Sequence, residues 1–290
     1  MKYANTLGLL GQGISYSLSP WIHNAAAEVL GLPDRYRLFD LEPDAVAPFL
    51  QEFWAEGGVG LNVTQPYKRL VASLVRSDLA ASNVLYREAA SPYWKSTSTD
   101  GEGFVQALEL FWGKYAFPHW VFLGNGGTVS ILLDIARNLS PFPRISILRR
   151  DLQRDLELEA LYPGVQFFPF EPSALAEVFT SGPCLLVQVS TAPAATWDPF
   201  FQVLGGFSGA CMDLAYGSRC SSLFFALRAQ RHPCEDGLAM LLEQARSAQK
   251  IWWGCTPSRG DLLAAMIDMA PQYGESCNSF IKQIQRLASM

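Results

Sequence analysis

Residues 121–139 read VFLGNGGTVSILLDIARNL. An apolar run ends at Leu123, a glycine-rich turn follows, and apolar residues then recur at helical spacing from Val129 onward. The pattern is strand, tight turn, helix. Gly124 suits the turn, and Gly126 lets an anion approach the backbone, so that free amides at the helix N-terminus face a pyrophosphate. The spacing departs from G-x-G-x-x-G, because Val129 stands at the third glycine position. A glycine turn alone serves equally as a structural turn. The next strand, RISILR, gives it a second reading. It ends at Leu148 with Arg149 and Arg150, where a dinucleotide enzyme places the group that meets the ribose. Two guanidiniums there favour a 2′-phosphate, hence NADP over NAD. Asp151, just beyond, reads as a helix cap rather than a ribose ligand.

Working outward from this turn, strands and helices alternate along the whole chain. Toward the N-terminus, LGLLGQ, YRLFDL and GVGLNVT read as strands, and SPWIHNAAAEVLGL, PDAVAPFLQEFWAEG and PYKRLVASLV as helices. In the first helix Ser19 can cap, Pro20 suits the first helical position and Gly31 suits the exit. Toward the C-terminus VQFFPF, CLLVQVS and GACMDLAY read as strands, with helices between and after them. This rhythm predicts an α/β protein with mostly parallel sheet covered on both faces. The boundary between two domains is expected near Asp100 to Phe104, giving 1–101 with 238–290 as one domain and 102–237 as a Rossmann-type domain.

The chain has 290 residues, 49% of them hydrophobic and 17% charged, as in a well-cored protein of two ordinary domains. A net charge of -5 gives no reason to expect nucleic acid or an anionic membrane as partner. No apolar run approaches the ~18 residues of a membrane span, and the N-terminus lacks a secretory pattern. The six cysteines, none in C-x-x-C spacing, read as reduced thiols of a cytoplasmic protein. The three histidines have no zinc-type spacing, so no metal is expected.

Seven short motifs then line up in order: SYSLSPWIHN, GLNVTQPYK, the SN step at 82–83, STDGEGF, GNGG, DLAY and DGLAMLLEQA. Together they resemble the shikimate dehydrogenase family, from about Gly11 to about Trp253. The resemblance implies an N-terminal α/β domain for shikimate, a Rossmann domain for NADP, and reversible hydride transfer between NADPH and 3-dehydroshikimate. By motif position it makes Ser17 and Ser19 the pair that holds the substrate carboxylate. Asn62, Thr64 and Asn83 stand where the family places groups near the ring hydroxyls. Lys68 and Asp100 match the catalytic pair, with Asp100 also beside substrate. Tyr216 and Gln244 match the tyrosine and glutamine that close over it. Gly124, Asn125, Gly126, Gly127, Thr128, Arg149, Arg150 and Ser190 fall in the cofactor motifs, and Leu214 and Gly237 match backbone positions near the nicotinamide. The cofactor motifs depart most from the family: Asn125, Thr128 and Val129 replace alanines, and LRR replaces N-R-T.

Alone, Lys68 in LNVTQPYKRL reads as a solvated lysine. Beside Asp100 it is a proton donor for ketone reduction, since negative charge grows on the oxygen as hydride arrives. The expected activity is therefore NADP-dependent shikimate dehydrogenase, with a small-molecule substrate and a monomer or homodimer as assembly. A quinate or aminoshikimate dehydrogenase, or a non-catalytic NADP- or shikimate-binding sensor, are the alternatives.

Overall fold

A computed structural model describes residues 2–89, 91–113, 116–139, 141–150, 156–190 and 192–290. Asp151 lies outside the described residues. The chain divides into two compact units, Met1–Gly103 with Leu241–Met290, and Phe104–Met240.

The first unit holds β1 (Thr6–Gly11), α1 (Ser19–Val29), β2 (Arg35–Asp40), α2 (Pro43–Ala55), β3 (Gly60–Val63), α3 (Lys68–Leu74), β4 (Val84–Tyr86) and β5 (Lys95–Thr97). Helix α4 (Asp100–Phe111) leads out of it. The sheet order is β2-β1-β3-β4-β5. Strands β1, β2 and β3 run parallel, whereas β4 and β5 are antiparallel additions. Strand β1 is buried at every position, which explains its near-continuous apolar run: both faces are covered. One face packs Leu10, Phe49, Phe53, Leu61 and Val63. The other packs Leu7, Leu9, Ile14 and Tyr36 with Trp252.

The second unit holds β6 (His119–Leu123), α5 (Gly127–Arg137), β7 (Arg144–Arg149), α6 (Leu156–Leu161), β8 (Val165–Pro169), α7 (Pro172–Phe179), β9 (Cys184–Gln188), β10 (Gly209–Asp213), α8 (Ser222–Ala229) and β11 (Cys234–Asp236). Its six strands, in the order β11-β10-β9-β6-β7-β8, are all parallel. This is the doubly wound α/β architecture that the glycine turn at β6–α5 pointed to. Helix α9 (Leu238–Trp253) carries the chain back, and α10 (Arg259–Met269) and α11 (Glu275–Ala288) belong to the first unit. There Trp21 of α1, fully buried, donates from its indole N–H to Met266 O of α10 at 2.8 Å.

Two local expectations change. Helix α3 begins at Lys68 rather than Pro66, because residues 64–67 form a turn closed by the Tyr67 N–H on Thr64 O at 2.9 Å. Ser19 does not cap α1: the cap position is Leu18, and Ser19 is the first helical residue, its N–H donating to Ser17 Oγ at 3.2 Å. Strands β5 and β11, three residues each, are too short to carry an alternating pattern and become strands only by pairing with a neighbour.

Candidate active site

In the first unit the strand ends of β3 and β4 and the starts of α3 and α4 bring four polar side chains together. Lys68, at the first position of α3, points its ammonium at Asp100, the first residue of α4; Nζ and Oδ2 are 2.6 Å apart. The lysine side chain is 14% exposed and the aspartate 2%, so the pair is shielded from bulk water on the carboxylate side. The other carboxylate oxygen accepts from Asn83 Nδ2 at 2.8 Å. That same amide nitrogen lies 3.0 Å from Gln244 Oε1 and 3.2 Å from Thr99 Oγ1. Asn83 Oδ1 accepts the Thr99 backbone N–H at 2.8 Å. Asp100 is thus held at both oxygens, which fixes the direction in which it presents the Lys68 ammonium.

A second layer extends from Asn83 toward α1. Asn62 of β3 donates to Asn83 O at 3.2 Å and accepts from the Tyr36 hydroxyl at 2.8 Å. Ser17 and Ser19 stand together at the entrance of α1, with the Ser17 hydroxyl donating to Ser19 Oγ at 3.1 Å. Thr64 sits in the turn between β3 and α3, half-buried, its backbone amide donating to Leu10 O at 2.9 Å. Of the substrate-side residues expected from sequence, the structure therefore joins Lys68, Asp100, Asn83, Gln244 and Asn62 in one network. It places Ser17 and Ser19 as a pair at a helix start and Thr64 in the turn leading to Lys68. Tyr216 belongs to the second unit, half-buried, just before a short 3-10 turn at Gly217–Arg219.

The residues expected at the cofactor fall in the second unit. Gly124 has φ +111°, a left-handed conformation that L side chains rarely adopt, and a Cβ there would lie 3.2 Å from the Ser190 Cβ. Gly126 is the N-cap of α5, followed by Gly127 and Thr128, and no side chain caps the helix. A tight glycine turn feeding an uncapped eleven-residue helix fits the pyrophosphate of a dinucleotide. Asn125 lies in the same turn. Ser190 follows β9 and is braced by Gln188, whose amide donates to Ser190 O at 2.7 Å and accepts from Ser190 N–H at 3.0 Å. Leu214 and Gly237 follow the adjacent strands β10 and β11. A Cβ on Gly237 would meet Leu214 O at 2.3 Å, so only glycine fits that approach. Beside them burial raises Asp213 to about 6, although the amides of Ser221 and Ala215 partly offset it.

The two arginines at the end of β7 differ. Arg149 is buried, its guanidinium paired with Glu159 of α6 and lying 4.4 Å over the Phe167 ring, while Arg150 is exposed. Position explains the difference: Arg149 is the last residue of β7, a strand buried from Ile145 onward on both faces, and Arg150 lies just beyond its end. Of the two, only Arg150 presents its guanidinium to solvent at the β7 end, where a 2′-phosphate would be met.

Comparison with known proteins supplies the family. Residues 9–84 match the family model described as the shikimate dehydrogenase substrate binding domain. The chain is 28% identical to the shikimate dehydrogenase (NADP(+)) of Geobacter sulfurreducens, over 90% of this chain and 95% of that one. It is 30% identical to the enzyme of the same name from Rhodopseudomonas palustris strain HaA2, over 90% of this chain and 94% of that one. The chain belongs to the shikimate dehydrogenase family. A solved structure from Thermus thermophilus, shikimate 5-dehydrogenase in complex with shikimate, matches with a TM-score of 0.74 and 25% identity, covering 91% of this chain and 98% of that one. A shikimate dehydrogenase from Aquifex aeolicus matches in fold with a TM-score of 0.77 at 21% identity. The family's substrate-domain model ends at residue 84, so Asn83 falls within it and Asp100 beyond it.

Sequence reading missed Tyr36, Thr99 and His23. His23 stacks on Tyr36 with ring centroids 4.2 Å apart, and burial lowers its pKa to about 3. Tyr36 lay outside the quoted motifs, whereas Thr99 lay within STDGEGF, next to Asp100. His23 and Asn24 did lie within SPWIHN, and the positions of two polar residues on a helix otherwise rich in buried apolar side chains were the available signal.

Proposed function

We propose that the chain reduces 3-dehydroshikimate to shikimate, reversibly, with NADPH as hydride source. The observation that carries this reading is the Lys68–Asp100 pair at 2.6 Å, with Asn83 holding the second carboxylate oxygen, in a chain of this family. In the reductive direction the Lys68 ammonium hydrogen-bonds the ketone oxygen, stabilises the charge growing there and delivers the proton. Asp100 orients Lys68 and accepts a hydrogen bond from a neighbouring hydroxyl of the substrate. Ser17 and Ser19 hold the substrate carboxylate with hydroxyls at the start of a helix, where negative charge is favoured. Asn62, Thr64, Asn83 and Gln244 hold ring hydroxyls, and Tyr216 is assigned to the substrate as well. Gly124 to Thr128, Arg149, Arg150, Ser190, Leu214 and Gly237 serve the cofactor, Arg150 by charge and Arg149 chiefly by supporting that strand end. Six free cysteines suit a reducing, cytoplasmic setting, and the enzyme is read as a monomer or homodimer.

The test is absorbance at the nicotinamide band on mixing the protein with shikimate and NADP. Reduction of NADP is expected; ligand binding without reduction overturns the reading in favour of a sensor. The pairing of Arg149 with Glu159 favours a second reading, relaxed cofactor use, because one of the two expected phosphate-binding guanidiniums is already engaged. If Arg150 carries the phosphate preference, Arg150→Gln lowers the ratio of NADP to NAD affinity about tenfold, the size of one charged hydrogen bond. Titration calorimetry with each cofactor checks it, and an unchanged ratio removes Arg150 from the pocket.

A further inference from the structure

Three elements of the first unit converge on Tyr36. Its backbone lies on β2, an edge strand, and Asn24 of α1 takes the place of a neighbouring strand there: the Tyr36 N–H donates to Asn24 Oδ1 at 2.8 Å and Asn24 Nδ2 donates to Tyr36 O at 3.2 Å. Its ring lies nearly parallel to His23, the residue before Asn24, with an interplanar angle of 11°. Its hydroxyl donates to Asn62 Oδ1 of β3 at 2.8 Å. Tyr36 is 4% exposed, too deep to bind a solute itself. So backbone, ring and hydroxyl are each fixed by a different side chain.

We propose that Tyr36 is a positioning residue for the substrate: its buried hydroxyl sets the orientation of the Asn62 amide. An asparagine amide has two faces of similar shape and opposite hydrogen-bonding character. A donor at Oδ1 leaves Nδ2 as the group presented on the other side, toward Asn83 and the substrate hydroxyls. Burial holds the phenol protonated and His23 neutral, so the donor is present throughout the working pH range. The inference rests on the assignment of Asn62 to substrate under the proposed function.

Tyr36→Phe keeps the ring, the stack on His23 and both backbone bonds to Asn24, and removes only the hydroxyl. The expected result is a fall of about tenfold in kcat/KM for shikimate, carried by KM with kcat little changed, and an unaltered KM for NADP. Asn62→Ala is expected to lose at least as much, and adding Tyr36→Phe to it is expected to change kcat/KM by less than about twofold, since the residue acts through Asn62. A purely structural role predicts additive losses instead. Asn24→Ala loosens Tyr36 from its backbone side and gives a second route if the first variant does not fold; it must raise KM for shikimate in the same sense. An unmoved KM in either single variant, or additive losses in the double, overturns the inference and leaves the proposed function standing. A silent Asn62→Ala overturns the inference together with the assignment of Asn62 to substrate, while NADP reduction by the parent protein reports on the activity separately.

Discussion

Lys68 changes meaning when its partner is known. A lysine at the start of a helix is ordinarily solvated and gains little from a single ion pair. Here its nitrogen faces a carboxylate that is 2% exposed and held at the other oxygen by Asn83. Replacement by methionine, one heavy atom shorter, keeps most of the apolar stem and removes charge and proton. Lys68→Met is expected to lower kcat by roughly 10²–10⁴ while the affinity for NADPH, measured by fluorescence titration, stays near the parent value. Near-normal turnover would remove Lys68 from the chemistry. His23 gives a residue-scale prediction for stability. Burial moves its pKa from 6.5 in the unfolded chain to about 3 in the folded one. Below pH 6.5 the unfolded chain takes up a proton that the native state refuses, so this contribution to stability is complete above that pH and is lost progressively down to about 3. Melting temperatures of the parent and of His23→Gln, measured from pH 7 to pH 4, are expected to converge as pH falls; parallel curves contradict the buried neutral histidine.

At the scale of elements, the site depends on where helices start and on what pins them. The turn before α3 places Lys68 one residue inside a helix, and α4 begins at Asp100 itself. Gln244 reaches Asn83 from α9, whose neighbouring residue Glu243 is fully buried. Glu243 accepts from Arg246 of the same helix at 2.7 Å and from Arg259 of α10 at 2.7 Å, so one carboxylate ties α9 to α10. Removing it leaves two guanidiniums that are 20% and 31% exposed and can partly rehydrate. Glu243→Ala is therefore expected to cost about 3 kcal/mol, the low end for a broken buried pair. Urea unfolding checks this, and a loss within about 0.5 kcal/mol would mean the pair is no anchor. The cofactor turn depends on elements in another way: Gly124 and Gly237 are required by a left-handed backbone and by a carbonyl at contact distance, respectively, not by any side chain they present.

At the scale of the whole chain, the first unit is assembled from both ends of the sequence. Trp252 of α9 donates to Leu85 O at 2.9 Å and presses on β3 so closely that a Cβ on Gly60 would lie 2.3 Å from its indole nitrogen. Trp21 needs Met266 O as its acceptor. A chain ending at Met240 lacks Trp252 and Met266, which leaves the Trp21 indole without its acceptor and the α1 face uncovered, and it is expected to show no cooperative melting of the first unit and no shikimate binding. A sharp melt with intact near-ultraviolet dichroism in that truncation contradicts this. Much of the molecule was legible in the sequence. Alternating apolar periodicities, punctuated by glycine and proline, determined the α/β class and the parallel rhythm, because element type follows from local backbone preference and the spacing of buried residues. The glycine turn of residues 124–127 and the ordered motifs pointed to the cofactor and the family. The three-residue strands β5 and β11 were not legible, because so short a run is made a strand by its neighbour. Nor was the difference between Arg149 and Arg150, which depends on where β7 ends and on the pairing of Arg149 with Glu159 of α6. Only the tertiary structure decided that the Tyr36 hydroxyl meets Asn62 and that one amide of Asn83 serves Asp100 and Gln244 together. Those contacts link residues 17 to 161 positions apart, and a pairing over such distances is set by packing rather than by any local pattern.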